Sequence, residues 1–324
     1  MDPTDATTSG TAATYVTVPD VISADHRTMS AIVVSSSGRP RAAAVGLVVA
    51  AAMFPQVGAV IAVTLFDRLG PAGTAFLRLA FAAIILCTLW RPRLEGNLRL
   101  AAAFGLSLGL MNWSFYEALD RVPLAVAVTT EFAGPLLVAV VGSRRPLDVL
   151  WVVLAAAGII LLVGPGGGSV NAVGVAFALM AGACWMAYIY LSKRTGAAFA
   201  GGSGLAIAMA VGALLVLPIG IAQATTGAIA NPGVVGAAFV VALASSVLPY
   251  SLELVALRRL PESVFGVLMS VDPAVAALAG VVVLGQALGP RDVLGIAMVV
   301  VASIGAASLS HRATEFGALT LDAE

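Results

Sequence analysis

Long apolar runs separated by short polar turns make up most of the chain from about residue 43 onwards. Ten of these runs approach the ~20 residues that a helix needs to cross ~30 Å of hydrocarbon. Their predicted bounds are about 43–66, 72–90, 98–118, 123–142, 147–164, 171–191, 203–222, 234–257, 262–284 and 291–309. The connections contain turn signals such as Leu69-Gly70-Pro71 and Asn231-Pro232-Gly233. The pattern predicts an all-α polytopic membrane protein with ten transmembrane helices.

The pattern of the first half recurs 138 positions further on. Matching residues at this offset are Ala118 and Ala256, Leu119 and Leu257, Arg121 and Arg259, Pro123 and Pro261, Val126 and Val264, Pro135 and Pro273, Ala139 and Ala277, and Gly142 and Gly280. Two prolines and an arginine at one fixed offset rarely match by chance, so the chain is predicted to contain two related halves. Because five helices per half is an odd number, the second half must be inverted. The predicted repeats are 41–166 and 167–310, between tails 1–40 and 311–324.

Composition supports a membrane protein, since 60% of the residues are hydrophobic and only 10% are charged. Lys and Arg are concentrated in alternate loops: with the N-terminus inside, the outer loops hold only Arg68, Arg121 and Arg291. The positive-inside rule therefore predicts that both termini are cytoplasmic. The first 40 residues are rich in Ser, Thr and Ala and predict a disordered tail, in which Met29 is an alternative start.

Glu131 is the strongest candidate for function. It lies about eight residues inside the fourth predicted helix, among Val, Ala and Leu, and four residues before Pro135. A carboxylate at this depth is costly and usually faces a cavity or a partner. Pro135 has no N–H, so the carbonyl of Glu131 loses its helical partner. Glu131 is a candidate to bind a substrate ammonium group or to carry an exchanged proton; the alternative is a structural ion pair with Arg78.

Two further charged residues lie at membrane depth. Asp272 stands immediately before Pro273, where a carboxylate and a free carbonyl together suit a cation or a proton; a hydrogen-bonded helix break is the alternative. Arg78 is the only cation well inside the hydrocarbon. It is a candidate for binding a substrate carboxylate, but we favour a structural ion pair.

Polar and aromatic residues at helical spacing lie in three other helices: Asn112 and Tyr116 in the third, Trp185 and Tyr188 in the sixth, and Ser246 and Tyr250 in the eighth. Each aromatic residue alone is more often part of core packing than of a binding site. As a set with Glu131, residues Asn112, Tyr116, Trp185, Tyr188 and Tyr250 predict the lining of a binding site for a small polar metabolite. The pairs Glu117–Arg121 and Gly105–Gly109 are expected to be structural, the second as close packing within the chain, with a homodimer as its alternative.

Three segments resemble the bacterial threonine/homoserine exporters of the EamA group, in the drug/metabolite transporter superfamily. They are SLGLMNWSFYEALDRVPLAVAVTTEFAGPL, SRRPLDVLWVVLA and LPYSLELVALRRLPESVFGVLMSVDPAVAAL. The resemblance spans roughly residues 43–309. It implies two inverted five-helix EamA repeats in the bacterial inner membrane, a central cavity, and efflux of amino acids or similar metabolites, generally taken to be proton-coupled. This chain departs from the family at two places. It has Gln286 where the family usually has an acid, and Val271-Asp272-Pro273 where the family often has Met-Glu-Pro.

Three other functions are weighed against an amino-acid exporter. An intramembrane enzyme would need a metal pair or a catalytic set at membrane depth, yet the only histidines, His26 and His311, lie in the tails. Two cysteines in apolar runs suggest neither a disulfide framework nor a metal site, and no cofactor or nucleic-acid partner is expected. A receptor or assembly subunit leaves the inverted halves unexplained. Efflux of drugs or other metabolites, such as nucleotide-sugar-like or cationic compounds, remains the serious alternative.

Overall fold

The computed structural model describes residues 40–94, 96–141, 146–163, 171–250, 252 and 269–321, and all regular secondary structure in these ranges is helical. The helices are α1 (Pro40–Val63), α2 (Phe66–Trp90), α3 (Leu98–Leu119), α4 (Leu124–Glu131), α5 (Ala133–Val141), α6 (Pro146–Val163), α7 (Ala172–Ala198), α8 (Ser203–Gln223), α9 (Pro232–Ala242), α10 (Asp272–Val282) and α11 (Pro290–Leu321). A 3₁₀ turn covers Ala228–Ala230, and a π-helical turn, Leu243–Val247, follows α9. The contacts below lie within the compact unit that begins at Ala44.

The helices have the length and composition of a membrane protein. Four described spans are long and apolar enough to cross a bilayer: Phe66–Trp90, Ala172–Ala198, Ser203–Gln223 and Pro232–Tyr250. Four shorter apolar helices accompany them. Large apolar side chains such as Ile84, Ile160, Leu214 and Val282 are exposed on the outside of the bundle, where hydrocarbon rather than water suits them.

Small residues lie where the helices cross. Gly105 and Gly109 of α3 face α8, and a Cβ on Gly109 would lie 2.9 Å from the Cα of Gly212. Gly158 and Gly295 form the equivalent close approach between α6 and α11. These positions let backbones come close enough for van der Waals packing to hold the helices together in lipid. Gly105 and Gly109 thus pack against another helix of the same chain, as predicted from the sequence.

Two helices are interrupted at the predicted proline positions. The fourth predicted helix is divided at Phe132 into α4 and α5, since Pro135 removes a backbone donor. Likewise α10 begins at Asp272, with Pro273 in its first turn and a turn at Ser270 and Val271 before it. Both interruptions place a carboxylate beside a helix end.

Several boundaries differ from the sequence prediction; the helix predicted at 171–191, for example, continues to Ala198 as α7. Two of the differences have a clear local cause. Helix α2 begins at Phe66 rather than at residue 72, because Gly70 (φ 67°) absorbs a kink within it. Helix α11 continues to Leu321, through the segment predicted as a C-terminal tail, because no proline interrupts it. The predicted N-terminal tail with Met29 and the repeat positions Gly142, Ala256, Leu257, Arg259, Pro261 and Val264 lie outside the described residues.

Candidate substrate cavity

A cavity of about 110 Å³ lies between α1, α2, α3, α4, α7, the end of the α9 span and the start of α10. Its walls are Pro55, Gln56, Arg78, Met111, Asn112, Phe115, Val128, Glu131, Trp185, Tyr188, Ser245, Pro249, Tyr250, Met269 and Asp272. One water needs roughly 10–15 Å³ of such space, so the cavity has room for a small polar solute.

The structure brings most of the predicted site residues to this one cavity. Its walls include Asn112, Glu131, Trp185, Tyr188, Tyr250, Asp272 and Arg78. Tyr116 is not among them: it is fully buried behind the wall, where its hydroxyl accepts a hydrogen bond from Arg78. Helix spacing placed Tyr116 on the face of Asn112, but Arg78 lies between Tyr116 and the open space.

Glu131 is the last residue of α4, and its backbone is held tightly by α7. A Cβ on Gly182 would lie 2.6 Å from the carbonyl oxygen of Glu131, so only glycine permits this approach. The side chain is 8% exposed, and within the described part of the chain no group donates a hydrogen bond to its carboxylate. The charges of Arg78 and Asp272 both act on it. Glu131 therefore offers its acceptor capacity to the cavity rather than to the protein.

Asp272 reaches the cavity from the other interrupted helix. It is the first residue of α10 and is 5% exposed. Glu131 at the end of α4 and Asp272 at the start of α10 thus face one space from two helices that pack together. Two buried carboxylates that line one space repel each other, and a bound proton or cation relieves this repulsion.

Arg78 does not form the expected ion pair with Glu131. No salt bridge joins Arg78 to a carboxylate of the described residues. The Arg78 guanidinium instead donates to Ser246 Oγ at 2.9 Å and to the Ser245 carbonyl at 2.6 Å. The physical reason is Pro249, which lacks the N–H that would otherwise bind the Ser245 carbonyl in a helix.

Aromatic rings form one side of the cavity. The Tyr188 ring lies 5.8 Å from Tyr250 and 5.3 Å from Phe104, between centroids. Trp185 meets Phe132 edge to face at 5.6 Å. These contacts hold flat apolar surfaces next to the buried charges.

Sequence reasoning missed Ser245 as a wall residue. Helical spacing had grouped Ser246 with Tyr250, whereas Ser245 and Tyr250 share the cavity wall. The π-helical turn Leu243–Val247 inserts one extra residue, which shifts the register of this face by one position. The Ser-Ser-x-x-Pro order, with Pro249 freeing a carbonyl, is the only signal that pointed to this irregularity. Gln56, a weak candidate beside Pro55, also lines the cavity.

Two other polar contacts are structural and lie away from the cavity. Arg121 and Glu117 form the expected ion pair at 2.6 Å, and Glu117 also accepts from Trp113 and Gln223. Gln286, at a position where the family resemblance leads us to expect an acid, accepts a hydrogen bond at 3.0 Å from the backbone N–H of Leu124. This N–H begins α4 and has no partner within the helix, so an amide oxygen serves here as well as a carboxylate.

No group of three or more His, Cys, Asp or Glu side chains that would suit a metal ion occurs in the described ranges. The cavity therefore offers carboxylates, amides, hydroxyls, aromatic rings and one guanidinium. An apolar helical bundle that encloses such a polar space, with buried charges of both signs, has the construction of a membrane transporter.

Comparison with known proteins agrees with this class. Residues 172–308 match the EamA-like transporter family. The threonine/homoserine exporter RhtA of Escherichia coli (strain K12) is 44% identical over 256 residues, which cover 77% of this chain and 86% of that protein. The exporter RhtA of Salmonella typhimurium (strain SL1344) is 42% identical over 263 residues, covering 79% and 88%. This chain belongs to the EamA-like transporter family.

A solved crystal structure supports the fold alone. It covers 85% of this chain and 99% of its own, with a TM-score of 0.61 at 18% identity. Membership of the family confirms the prediction of a transporter and not an enzyme.

Proposed function

We propose that the protein exports small amino acids, threonine and homoserine first among them, across a bacterial inner membrane in exchange for protons. The observation that carries this proposal is the cavity, in which an arginine and two carboxylates converge at the breaks of two helices. A zwitterion needs opposite charges at its two ends, and the cavity has both. The names of the RhtA relatives, both threonine/homoserine exporters, support the choice of substrate.

The proposed architecture is ten transmembrane helices in two inverted five-helix repeats, 41–166 and 167–310. Helices α2 and α8 pack together, as do α4 and α10, and α6 and α11. In the proposed repeats, each of these pairs joins the same helix of the two halves. Phe132 and Ser270, where the two helices are interrupted, are also 138 residues apart. Alternating access would then consist of one half rocking against the other around the cavity.

In this proposal, Glu131 and Asp272 carry the exchanged proton, and Glu131 also binds the substrate ammonium group. Asn112, Trp185, Tyr188 and Tyr250 complete the wall. Tyr116 supports the site from behind through Arg78. Protonation of one carboxyl group relieves the repulsion between the two when the ammonium group leaves, which links substrate release to proton uptake.

Both termini are proposed to be cytoplasmic, with the exposed loop residue Leu94 inside and Thr226 outside. The excess of Lys and Arg in the loops on the proposed inner side supports this orientation. A membrane-impermeant thiol reagent should label Thr226→Cys but not Leu94→Cys in whole cells, after Cys87 and Cys184 are replaced by alanine. The reverse pattern would overturn the orientation. The homodimer remains a prediction from sequence and forms no part of this mechanism.

Counterflow in proteoliposomes tests the substrate. Vesicles loaded with unlabelled L-threonine should accumulate radiolabelled L-threonine faster than protein-free vesicles, and external homoserine should compete. Exchange of a cationic drug, without exchange of any amino acid, would replace the substrate and keep the fold. The aromatic wall formed by Trp185, Tyr188 and Tyr250 is the reason to test cationic drugs as an alternative substrate.

A further inference from the structure

Arg78 is held on the cavity wall in a fixed orientation. The side chain is 7% exposed. Its Nε donates to Ser246 Oγ at 2.9 Å, its Nη2 donates to the Ser245 carbonyl at 2.6 Å, and its Nη1 donates to the Tyr116 hydroxyl at 3.3 Å. The guanidinium carbon also lies 5.5 Å from the centre of the Tyr116 ring. Acceptors from two other helices therefore position the group before any ligand arrives.

The irregular backbone of the α9 span provides this support. Helix α9 passes into the π-helical turn Leu243–Val247, and Pro249 follows. Without an N–H at residue 249, the Ser245 carbonyl is available to the guanidinium. π-helical turns are frequent at functional sites, and this one presents both serines to the same arginine.

These bonds leave part of the guanidinium unused. A guanidinium has five N–H groups, and the three hydrogen bonds engage one each on Nε, Nη1 and Nη2. One N–H on each terminal nitrogen therefore has no acceptor among the described residues. All three acceptors are uncharged, and no carboxylate of the described residues pairs with Arg78. A buried positive charge without an anion is costly, so the site is complementary to an anionic group with two oxygens.

Other residues of the cavity wall supply acceptors. The Glu131 carboxylate receives no hydrogen bond from the described residues, and the buried Gln56 Oε1 has no partner among them. A ligand with a carboxylate at one end and donors at the other would satisfy Arg78, Glu131 and Gln56 together. We infer that Arg78 binds the α-carboxylate of the transported amino acid through its two terminal nitrogens. This inference rests on the proposed amino-acid export. It assigns the orientation of the substrate in the cavity, with its carboxylate at Arg78.

A purely structural Arg78, one that only joins α2, α3 and α9, makes a different prediction. Loss of such a structural arginine would weaken the binding of every cavity ligand by the same factor. A carboxylate-binding Arg78 discriminates between L-threonine and L-threoninol, the amino alcohol in which CH₂OH replaces the carboxylate. Discrimination between these two compounds is therefore the readout, rather than transport activity.

The experiment measures competition against radiolabelled L-threonine exchange in proteoliposomes. For the wild-type protein, threoninol should compete at least about tenfold more weakly than threonine, because buried donors reject a ligand that leaves them unpaired. In Arg78→Gln, half-inhibition by threonine should shift roughly tenfold to hundredfold upwards while that by threoninol stays nearly constant. For Arg78→Lys, half-inhibition by threonine should fall between the values for the wild type and for Arg78→Gln. The matched control is Arg93→Gln, an exposed loop arginine outside the cavity, which should behave as the wild type.

Two results would overturn the inference. One is equal competition by threonine and threoninol in the wild type, which requires no variant to fold and leaves export of amino compounds standing. The other is Arg78→Gln or Arg78→Lys retaining full wild-type discrimination. Absence of competition by every amino compound would instead overturn the proposed function, and this inference with it.

Discussion

Single polar side chains complete helix ends across the bundle. Gln286 accepts from Leu124 N–H at the start of α4, and Gln223 accepts at 2.7 Å from Ala72 N–H beyond the Gly70 kink in α2. Each residue supplies an acceptor to a backbone donor that the helix itself cannot satisfy. In an apolar surrounding, such a donor is expensive to leave unpaired. The same logic explains how Gln286 can serve at a position where the family resemblance leads us to expect an acid.

Gln286→Glu should therefore be tolerated, whereas Gln286→Leu should destabilise the protein. The leucine variant leaves the Leu124 N–H without an acceptor, at a cost of roughly 1–3 kcal/mol. We expect a lower midpoint of thermal unfolding in detergent for Gln286→Leu and a midpoint near that of the wild type for Gln286→Glu. Equal midpoints for the leucine variant and the wild type would show that the hydrogen bond contributes nothing measurable.

At the scale of helices, sequence and structure agree where local chemistry decides. The lengths of the apolar runs predicted most helix bounds approximately. Pro135 and Pro273 correctly predicted the interruptions beside Glu131 and Asp272. Most of the polar residues singled out in the apolar helices line one cavity in the structure. Facing a polar cavity avoids the cost of exposing them to hydrocarbon. The π-helical turn and the partners of Arg78 could not be predicted from spacing, since a one-residue change of register depends on tertiary contacts. Tyr116 lies outside the cavity lining and contacts Arg78, a tertiary contact that helical spacing does not reveal.

The close crossing of α4 and α7 positions Glu131. Gly134 and Gly182 bring the α4–α5 junction against α7 so closely that a Cβ on either glycine would collide with backbone atoms. Gly182→Ala should force α4 and α7 apart and lower the yield of folded protein, because backbone cannot yield as a flexible side chain does. A cost of about 1–3 kcal/mol is expected.

The matched control is Gly196→Ala, in the same helix α7, where an added Cβ meets nothing within 4 Å. It should leave folding unchanged or slightly improved, since alanine favours helix over glycine. Size-exclusion profiles and thermal unfolding of both variants decide the matter. Equal behaviour of the two alanine variants would show that the crossing tolerates more room than the structure indicates.

At the scale of the whole molecule, two interrupted helices bring two carboxylates to one cavity lined by seven segments of the chain. Glu117 offers a useful contrast, because it is equally buried but is paired with Arg121 and hydrogen bonded to Trp113 and Gln223. Among the described residues, Glu117 is thus a buried glutamate satisfied by the protein, whereas Glu131 is a buried glutamate that faces the cavity. In the proposed function, proton exchange belongs to Glu131 and a contribution to stability to Glu117.

The most direct test is substrate-driven proton flux in proteoliposomes that contain a lumenal pH dye. The wild type should show a proton flux when L-threonine is added, and an uncoupler should collapse the pH change. Glu131→Gln should abolish the flux in protein shown to be folded, while the matched variant Glu117→Gln should retain it. A wild-type proton flux in Glu131→Gln would contradict the central role given to this carboxylate.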